Sequence, residues 1–184
     1  MGYSFKDDWT TGHADNWTNL LKHFIGQPKI NMLEIGAYEG RSTVWFLENI
    51  LTDITSSIVC IDPHVQANFH HNISEFKNKL QLIEKKSQIA LRDPYFADER
   101  FDIIYVDGNH DSCDVLEDAV LSFRSLKKGG IMIFDDYEWK KEMYIGDIGA
   151  PLTEPKLGID CFMKVFDNKY KLLHKAWQVI ILKT

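Results

Sequence analysis

Residues 33–43, LEIGAYEGRST, decide the fold. Asn31, Met32 and Leu33 lead into Glu34. Gly36 and Gly40 follow, then Arg41-Ser42-Thr43 and an apolar pattern of helical period. A buried strand, a glycine turn and the first turn of a helix produce this order. Glycine has no Cβ, so such a turn brings backbone N–H groups close against a ligand. The spacing is E-x-G-x-x-x-G, whereas dinucleotide sites use G-x-G-x-x-G and phosphate loops G-x-x-x-x-G-K-[ST]. No lysine follows Gly40, which argues against a bound triphosphate. Tight strand-to-helix packing alone would also call for the two glycines.

Outward from this turn, strands and helices alternate. Strands are expected over residues 31–35, 57–61, around 82–85, 101–107 and 131–136, with a closing hairpin over 171–176 and 179–183. A first helix is expected over 15–24, with Trp17, Leu20, Leu21 and Phe24 on one face. The helix after the glycine turn places Val44, Leu47, Ile50 and Leu51 inward. Further helices are expected over 73–80, from Ser87 to before Pro94, and over 159–166. Leu116, Ala119, Val120, Phe123 and Leu126 form a helical stripe that Gly129-Gly130 should stop. This alternation implies an α/β fold, a mostly parallel sheet with helices on both faces and an antiparallel edge from the hairpin.

The chain has 184 residues, the size of one domain, and 45% hydrophobic residues to fill its core. One domain over 1–184 is expected, a helical segment at 1–28 preceding a core at 29–184. A formal charge of −6 argues against nonspecific nucleic-acid binding, which needs a basic field. No apolar run reaches membrane-span length, and MGYSFKDDWTTGH contains no apolar leader segment. Cys60, Cys113 and Cys161 lie in or beside apolar segments without a C-x-x-C, so reduced, buried thiols in a cytoplasmic protein are expected. Self-association stays open.

In open sheets of this kind, ligands bind beyond the C-terminal ends of the strands, and the polar residues gather there. Asp62 follows the run Ile58-Val59-Cys60-Ile61. An ionised carboxylate only accepts hydrogen bonds, which suits a ribose diol; a turn before Pro63 is the plainer use. Asp107, Asp135 and Asp136 end neighbouring strands. Carboxylates this close repel unless a cation or proton sits among them, and Mg²⁺ prefers oxygen ligands; each Asp alone could instead cap a helix. His110, three residues after Asp107, is a candidate base near neutral pH, or else a loop histidine. Adjacent His70 and His71 are read as surface residues.

With these residues in place, the chain resembles the class I S-adenosylmethionine-dependent methyltransferases, most closely the O-methyltransferases of the catechol and macrolide-sugar types. The resemblance runs from Trp17 to the end, and EIGAYEGRS is similar to the catechol enzymes' cofactor loop almost residue for residue. It implies a Rossmann-like fold with seven strands and a cofactor site built from Glu34, Gly36, Ala37, Tyr38, Gly40, Ser42, Asp62, Ser87, Gln88 and Asp107. Ser42 would bind the methionine carboxylate, Asp62 the ribose, and Ser87-Gln88 the adenine. Asp107, Asp135 and Asp136 match the Mg²⁺ ligands. His110 matches the general base, a lysine in the catechol type and a histidine in the sugar type. Two departures from the catechol pattern, Gly108-Asn109 for His-Trp and Asp136 for Asn, point to the sugar type.

The implied reaction is methyl transfer from S-adenosylmethionine to a hydroxyl of a small molecule (a sugar, diol or catechol), with Mg²⁺ or another divalent metal. The segment from Tyr137 to Pro155 would close over the substrate. Two readings from other classes share the glycine turn and Asp62: a nicotinamide-dependent oxidoreductase, disfavoured by the missing G-x-G-x-x-G, and a non-catalytic ligand-binding or assembly protein.

Overall fold

A computed structural model describes residues 2–97, 99–143 and 153–184. Seven strands form one sheet: β1 (Asn31–Ile35), β2 (Ser57–Ile61), β3 (Leu80–Ile83), β4 (Phe101–Val106), β5 (Leu126–Phe134), β6 (Tyr170–Lys175) and β7 (Val179–Lys183). Their order is β3-β2-β1-β4-β5-β7-β6. All neighbours are parallel up to β5, and β7 is antiparallel to both β5 and β6. The helices are α1 (Ala14–Leu20), α2 (Arg41–Asn49), α3 (Phe69–Asn72), α4 (Ser87–Ala90), α5 (Ser112–Ser125) and α6 (Pro155–Val165).

Period-two alternation in the strands feeds two cores, as expected for a sheet covered on both faces. Leu33, Ile35, Ile104, Val106, Met132 and Phe134 join Val115, Ala119 and Phe123 of α5 and Ile159 and Phe162 of α6 on one side. Met32, Ile103, Tyr105, Ile131 and Ile133 join Trp17 of α1 and Val44, Phe46 and Leu47 of α2 on the other. No described helix is long and apolar enough to cross a membrane.

Several sequence expectations need correction. Residues 73–80 are not one helix: α3 and a 3-10 turn (Ser74–Phe76) replace it, and β3 begins two residues early. Two large residues explain the break, since fully buried Phe69 and nearly buried Ile73 must both reach the core under Gly40. Gly129-Gly130 does not stop α5. The helix ends at Ser125 and the chain enters β5 directly, with both glycines inside the strand. The pairing shifts there between Phe101 and Ile103, and a Cβ at Gly130 would crowd the Asp102 carbonyl at 2.9 Å. These glycines make a bulge. The first helix is shorter than expected, continuing as turns that still bury Leu21 and Phe24. α6 starts earlier, because Pro155 is pre-organised for a first helical turn. Cys60 is buried, but Cys113 and Cys161 are exposed, on the outer faces of α5 and α6; all three are free thiols.

Candidate active site

The sheet order reverses between β1 and β4, where a crevice opens at the C-terminal edge. The backbone there is closely laced: Gly36 N–H donates to the Ile61 carbonyl at 2.9 Å, and Asp107 N–H to that of Ile35 at 2.8 Å. Gly36 has φ +86°, and a Cβ on it would collide with the Asp107 carbonyl, so no other residue fits. A cavity of about 1240 Å³ occupies this edge. That exceeds the roughly 300–1,000 Å³ of an ordinary ligand pocket and leaves room for two molecules side by side.

Of the expected cofactor residues, Gly36, Ala37, Tyr38, Ser42, Asp62, Ser87, Gln88 and Asp107 line this cavity. Glu34 and Gly40 are placed elsewhere. Glu34 is fully buried behind the turn, where its carboxylate accepts bonds from Ser42 Oγ (2.6 Å), Thr43 Oγ1 (2.5 Å) and Cys60 Sγ (3.3 Å). It ties the first turn of α2 to the sheet. Burial pushes its pKa up, and the bonds from Ser42, Thr43 and Cys60 work against that rise. Gly40 packs on the Phe69 ring. Asp62 braces the glycine turn from the cavity side: Oδ2 accepts from Ala37 N–H and Tyr38 N–H, both at 2.9 Å, and Oδ1 from His64 N–H at 2.7 Å. The turn holds Tyr38 at φ +47°, a conformation that non-glycine residues rarely adopt.

The second group lies at the ends of β4 and β5. Asp107, His110 and Asp136 bring ligand atoms within 4.8 Å of one another. His110 Nε2 lies 2.9 Å from Asp136 Oδ2, and its ring meets Trp139 edge-on at 4.5 Å. Asp136 also sits at positive φ, +57°, which Asp tolerates better than most residues. Asp135, expected as a third metal ligand, stands outside this converging group. Its Oδ1 accepts from Asp136 N–H at 2.8 Å, and its Oδ2 accepts from the Tyr105 hydroxyl and from Gln178 Nε2 at 3.0 Å. The Tyr105 hydroxyl also lies 3.1 Å from Asp107 Oδ2, but it has one proton to give. Burial first, then the neighbouring acids, pushes Asp107 well above the usual carboxylate range; burial and then Asp136 raise Asp135. A set of two carboxylate oxygens and one imidazole nitrogen around such strained charge fits a divalent cation.

Sequence reasoning missed two contributors. One is the N-terminal segment, whose Asp7, Trp9, Thr10 and His13 line the cavity. It is pinned across the glycine turn by Ser4 N–H to Asn72 (2.7 Å), Lys6 N–H to Glu39 (2.8 Å) and an Arg41–Asp8 ion pair (2.6 Å), with Trp9 against Tyr38. The signal available was Trp9 itself, an aromatic residue in an otherwise polar stretch. The other is the β6–β7 turn. Because β7 runs antiparallel with Val179 opposite Phe134, its entry lies beside the end of β5. Trp177 there lines the cavity, and fully buried Gln178 bridges Trp17 Nε1 (2.8 Å) and Asp135. An indole only donates, so Gln178 must turn its oxygen to Trp17 and its NH₂ to Asp135. On the expected closing segment, Trp139 and Met143 line the cavity, while Tyr144, Gly146, Gly149 and Pro151 lie outside the described residues.

Comparisons with known proteins bear on the fold and the family. The family described as "Methyltransferase domain" matches residues 33–137, from the glycine turn to just past Asp136. An uncharacterized protein, R132, of Acanthamoeba polyphaga mimivirus is 28% identical over 129 residues, which cover 64% of this chain and 56% of that protein. The chain thus spans little more than half the length of this curated relative. An O-methyltransferase from Bacillus cereus, solved with S-adenosylhomocysteine, superposes with a TM-score of 0.65 at 15% identity, covering 96% of this chain and 83% of that one. MycE, a methyltransferase of the mycinamycin biosynthetic pathway solved with Mg and S-adenosylhomocysteine, gives 0.68 at 12% identity, covering 97% and 51%. At these identities the solved structures establish a shared fold. The family match, spanning more than half of the sequence, goes further: the chain belongs to the Methyltransferase domain family.

Proposed function

We propose that this chain is a divalent-metal-assisted O-methyltransferase, moving a methyl group from S-adenosylmethionine to a hydroxyl of a small sugar, diol or catechol. The observation that carries the reading is the meeting, in one cavity, of the glycine turn with Asp62 on one side and the Asp107–His110–Asp136 group on the other. S-adenosylmethionine, when bound, supplies a methyl already made electrophilic by the sulfonium. A hard divalent ion held by Asp107 and Asp136 would make a nearby hydroxyl more acidic.

The chain's own residues do the rest. The Gly36–Tyr38 turn and Ser42, whose N–H and O–H groups are given to Ile61, Asp62 and Glu34, shape the wall along the methionine end; Asp62 holds the ribose, and Ser87 with Gln88 the adenine. His110, its Nε2 held by Asp136 and its ring by Trp139, takes the hydroxyl proton on Nδ1. Trp139, Trp177 and Met143 exclude water from the acceptor side and leave the oxygen to be aligned with the methyl–sulfur bond. The MycE structure holds Mg beside S-adenosylhomocysteine, and a divalent ion in the corresponding role here is part of the proposal.

The test is transfer of labelled methyl from S-adenosylmethionine to a panel of glycosides and vicinal diols, after chelation and again with Mg²⁺ restored. Transfer that appears only with the metal is the expected result. Failure of calorimetry to detect S-adenosylhomocysteine would overturn the reading, and turnover unaffected by chelation would remove the metal from it.

A further inference from the structure

The N-terminal segment has two faces. Asp7 and Trp9 line the cavity, while their neighbours Lys6 and Asp8 do not and are exposed. The segment is therefore a wall between the cavity and solvent. Residues 2–9 belong to no helix or strand, and among them only Phe5 is half-buried; Thr10, where the chain turns toward α1, is buried. So little apolar burial would let such a stretch open easily, unless polar partners fix it.

Those partners are buried side chains of the core. Asn72, on α3, is 1% exposed. Its Oδ1 accepts the Ser4 N–H at 2.7 Å, and its Nδ2 donates to the Ser4 carbonyl at 3.1 Å and to the Glu39 carbonyl at 2.8 Å. Glu39, within the glycine turn, is 2% exposed. Its Oε2 accepts the Lys6 N–H at 2.8 Å, and its Oε1 accepts from Asn68 Nδ2 at 3.1 Å. Arg41 donates from Nη1 to the Asp7 carbonyl at 3.3 Å. Burying a carboxylate and an amide is costly, and apolar side chains would fill the same space better. Here both are directed at the backbone of Ser4 and Lys6.

We propose that residues 4–10 are a strap over the occupant of the glycine-turn side of the cavity, that Trp9 is its contact with that occupant, and that Glu39 is the positioning residue that fastens it. The proposal rests on the reading of that side as the cofactor's. Trp9 and Tyr38 meet with tilted rings at 5.7 Å, and they stay 66% and 39% exposed beside the cavity. Two aromatic rings left open there are surface for a ligand to cover. Glu39 directly follows Tyr38, so one residue ties the turn on one side of the ligand to the strap on the other. The ligand leaves when the strap lifts, and lifting breaks the charge-assisted bond from Lys6 N–H to Glu39. The strap thus sets how long the ligand stays.

The experiment is surface plasmon resonance of S-adenosylhomocysteine on the whole chain, read as separate association and dissociation rates, with hydrogen exchange followed over residues 2–10. Glu39→Ala should speed dissociation by about tenfold or more, the scale of one lost hydrogen bond to a charged group, with association no slower. Lys6→Pro removes the same bond from the strap's side. It leaves the buried Glu39 in place and changes an exposed residue, so the core keeps its fold, and dissociation should speed up by a similar factor. In the parent the ligand should slow exchange over residues 2–10, and Glu39→Ala should lose that protection. Unchanged dissociation in Lys6→Pro would overturn the proposal, as would no ligand protection of residues 2–10 in the parent. Affinity lost in Glu39→Ala through slower association alone would also overturn it, since a misshapen glycine turn gives that result. Should the parent bind no S-adenosylhomocysteine, the cofactor reading falls; binding in the parent with the same dissociation in both variants defeats the strap alone.

Discussion

The two halves of the cavity treat their carboxylates differently. On the β1–β2 side the two acids at the strand ends are supplied with donors: Glu34 has Ser42, Thr43 and Cys60, and Asp62 has three backbone N–H groups. On the β4–β5 side Asp107, Asp135 and Asp136 share one tyrosine hydroxyl, one glutamine amide, one backbone N–H and His110. The first half is complete as a structure, its donors spent on holding the glycine turn open. The second half holds more negative charge than its donors can balance: burial raises Asp107 and Asp135 as it raises Glu34, but next in size come hydrogen bonds that lower Glu34 and neighbouring carboxylates that raise Asp107 and Asp135 further. Preorganised binding belongs to the first half, and charge waiting for a cation to the second.

The largest effect should come from breaking the second half. Asp107→Asn should cut turnover by about 10³-fold or more, since a metal at a reacting oxygen contributes several kcal/mol. The same change should stabilise the metal-free protein. Asp107 binds its proton more tightly folded than unfolded, so its contribution to stability falls as pH rises above the ordinary value of 3.8. Thermal unfolding without metal should therefore show a higher midpoint for Asp107→Asn than for the parent at pH 7–8, and Mg²⁺ should raise the parent's midpoint only. A variant less stable than the parent in metal-free buffer would contradict the unbalanced-charge account. Next in size, His110→Ala should lower kcat by about 10²–10⁴-fold with S-adenosylhomocysteine affinity unchanged, as measured by steady-state kinetics beside calorimetry. An unchanged kcat, with methyl transfer rate-limiting, would return His110 to a loop residue.

In the first half, Asp62→Ala should weaken S-adenosylhomocysteine by about 10–100-fold, given about 1.5–3 kcal/mol for a hydrogen bond to a charged group. That affinity should be lost without loss of Mn²⁺ binding, which electron paramagnetic resonance can follow. Simultaneous loss of both would show that the halves are one unit. The smallest change should be Gln178→Leu, which removes one donor from Asp135 while Tyr105 and Asp136 N–H remain. Mn²⁺ affinity should shift by up to about tenfold with cofactor affinity unmoved. If cofactor affinity moves instead, the Trp17–Gln178–Asp135 link serves the fold rather than the acid cluster.

Much of this site could be read from the chain because its residues lie close in sequence to strand ends. Gly36 follows β1, Asp62 follows β2, Asp107 follows β4, and Asp135 and Asp136 follow β5, so the period-two pattern that reveals each strand also locates its exit. Element ends were harder. The residues 73–80 fail to make one helix because burial of Phe69 and Ile73 overrides local propensity. Gly129-Gly130 looks like a helix stop in one dimension and is a bulge only when β4 lies alongside. Cys113 and Cys161 sit near apolar residues in sequence yet on the outer faces of their helices.

The sequence by itself determined the alternation of strands and helices, the glycine turn, and which strands end in acids, because periodicity and backbone freedom are local properties. Tertiary structure alone decided how those acids divide their labour. Glu34 became a brace and not a lining residue because α2 folds Ser42 and Thr43 back over it. Asp135 turned toward Tyr105 and Gln178 while His110 joined Asp107 and Asp136. Gln178 lies 161 residues from Trp17 and 43 from Asp135. Hydrogen-bond partners at such separations are chosen by which strands pair and in which direction, and no local pattern in the chain encodes that choice.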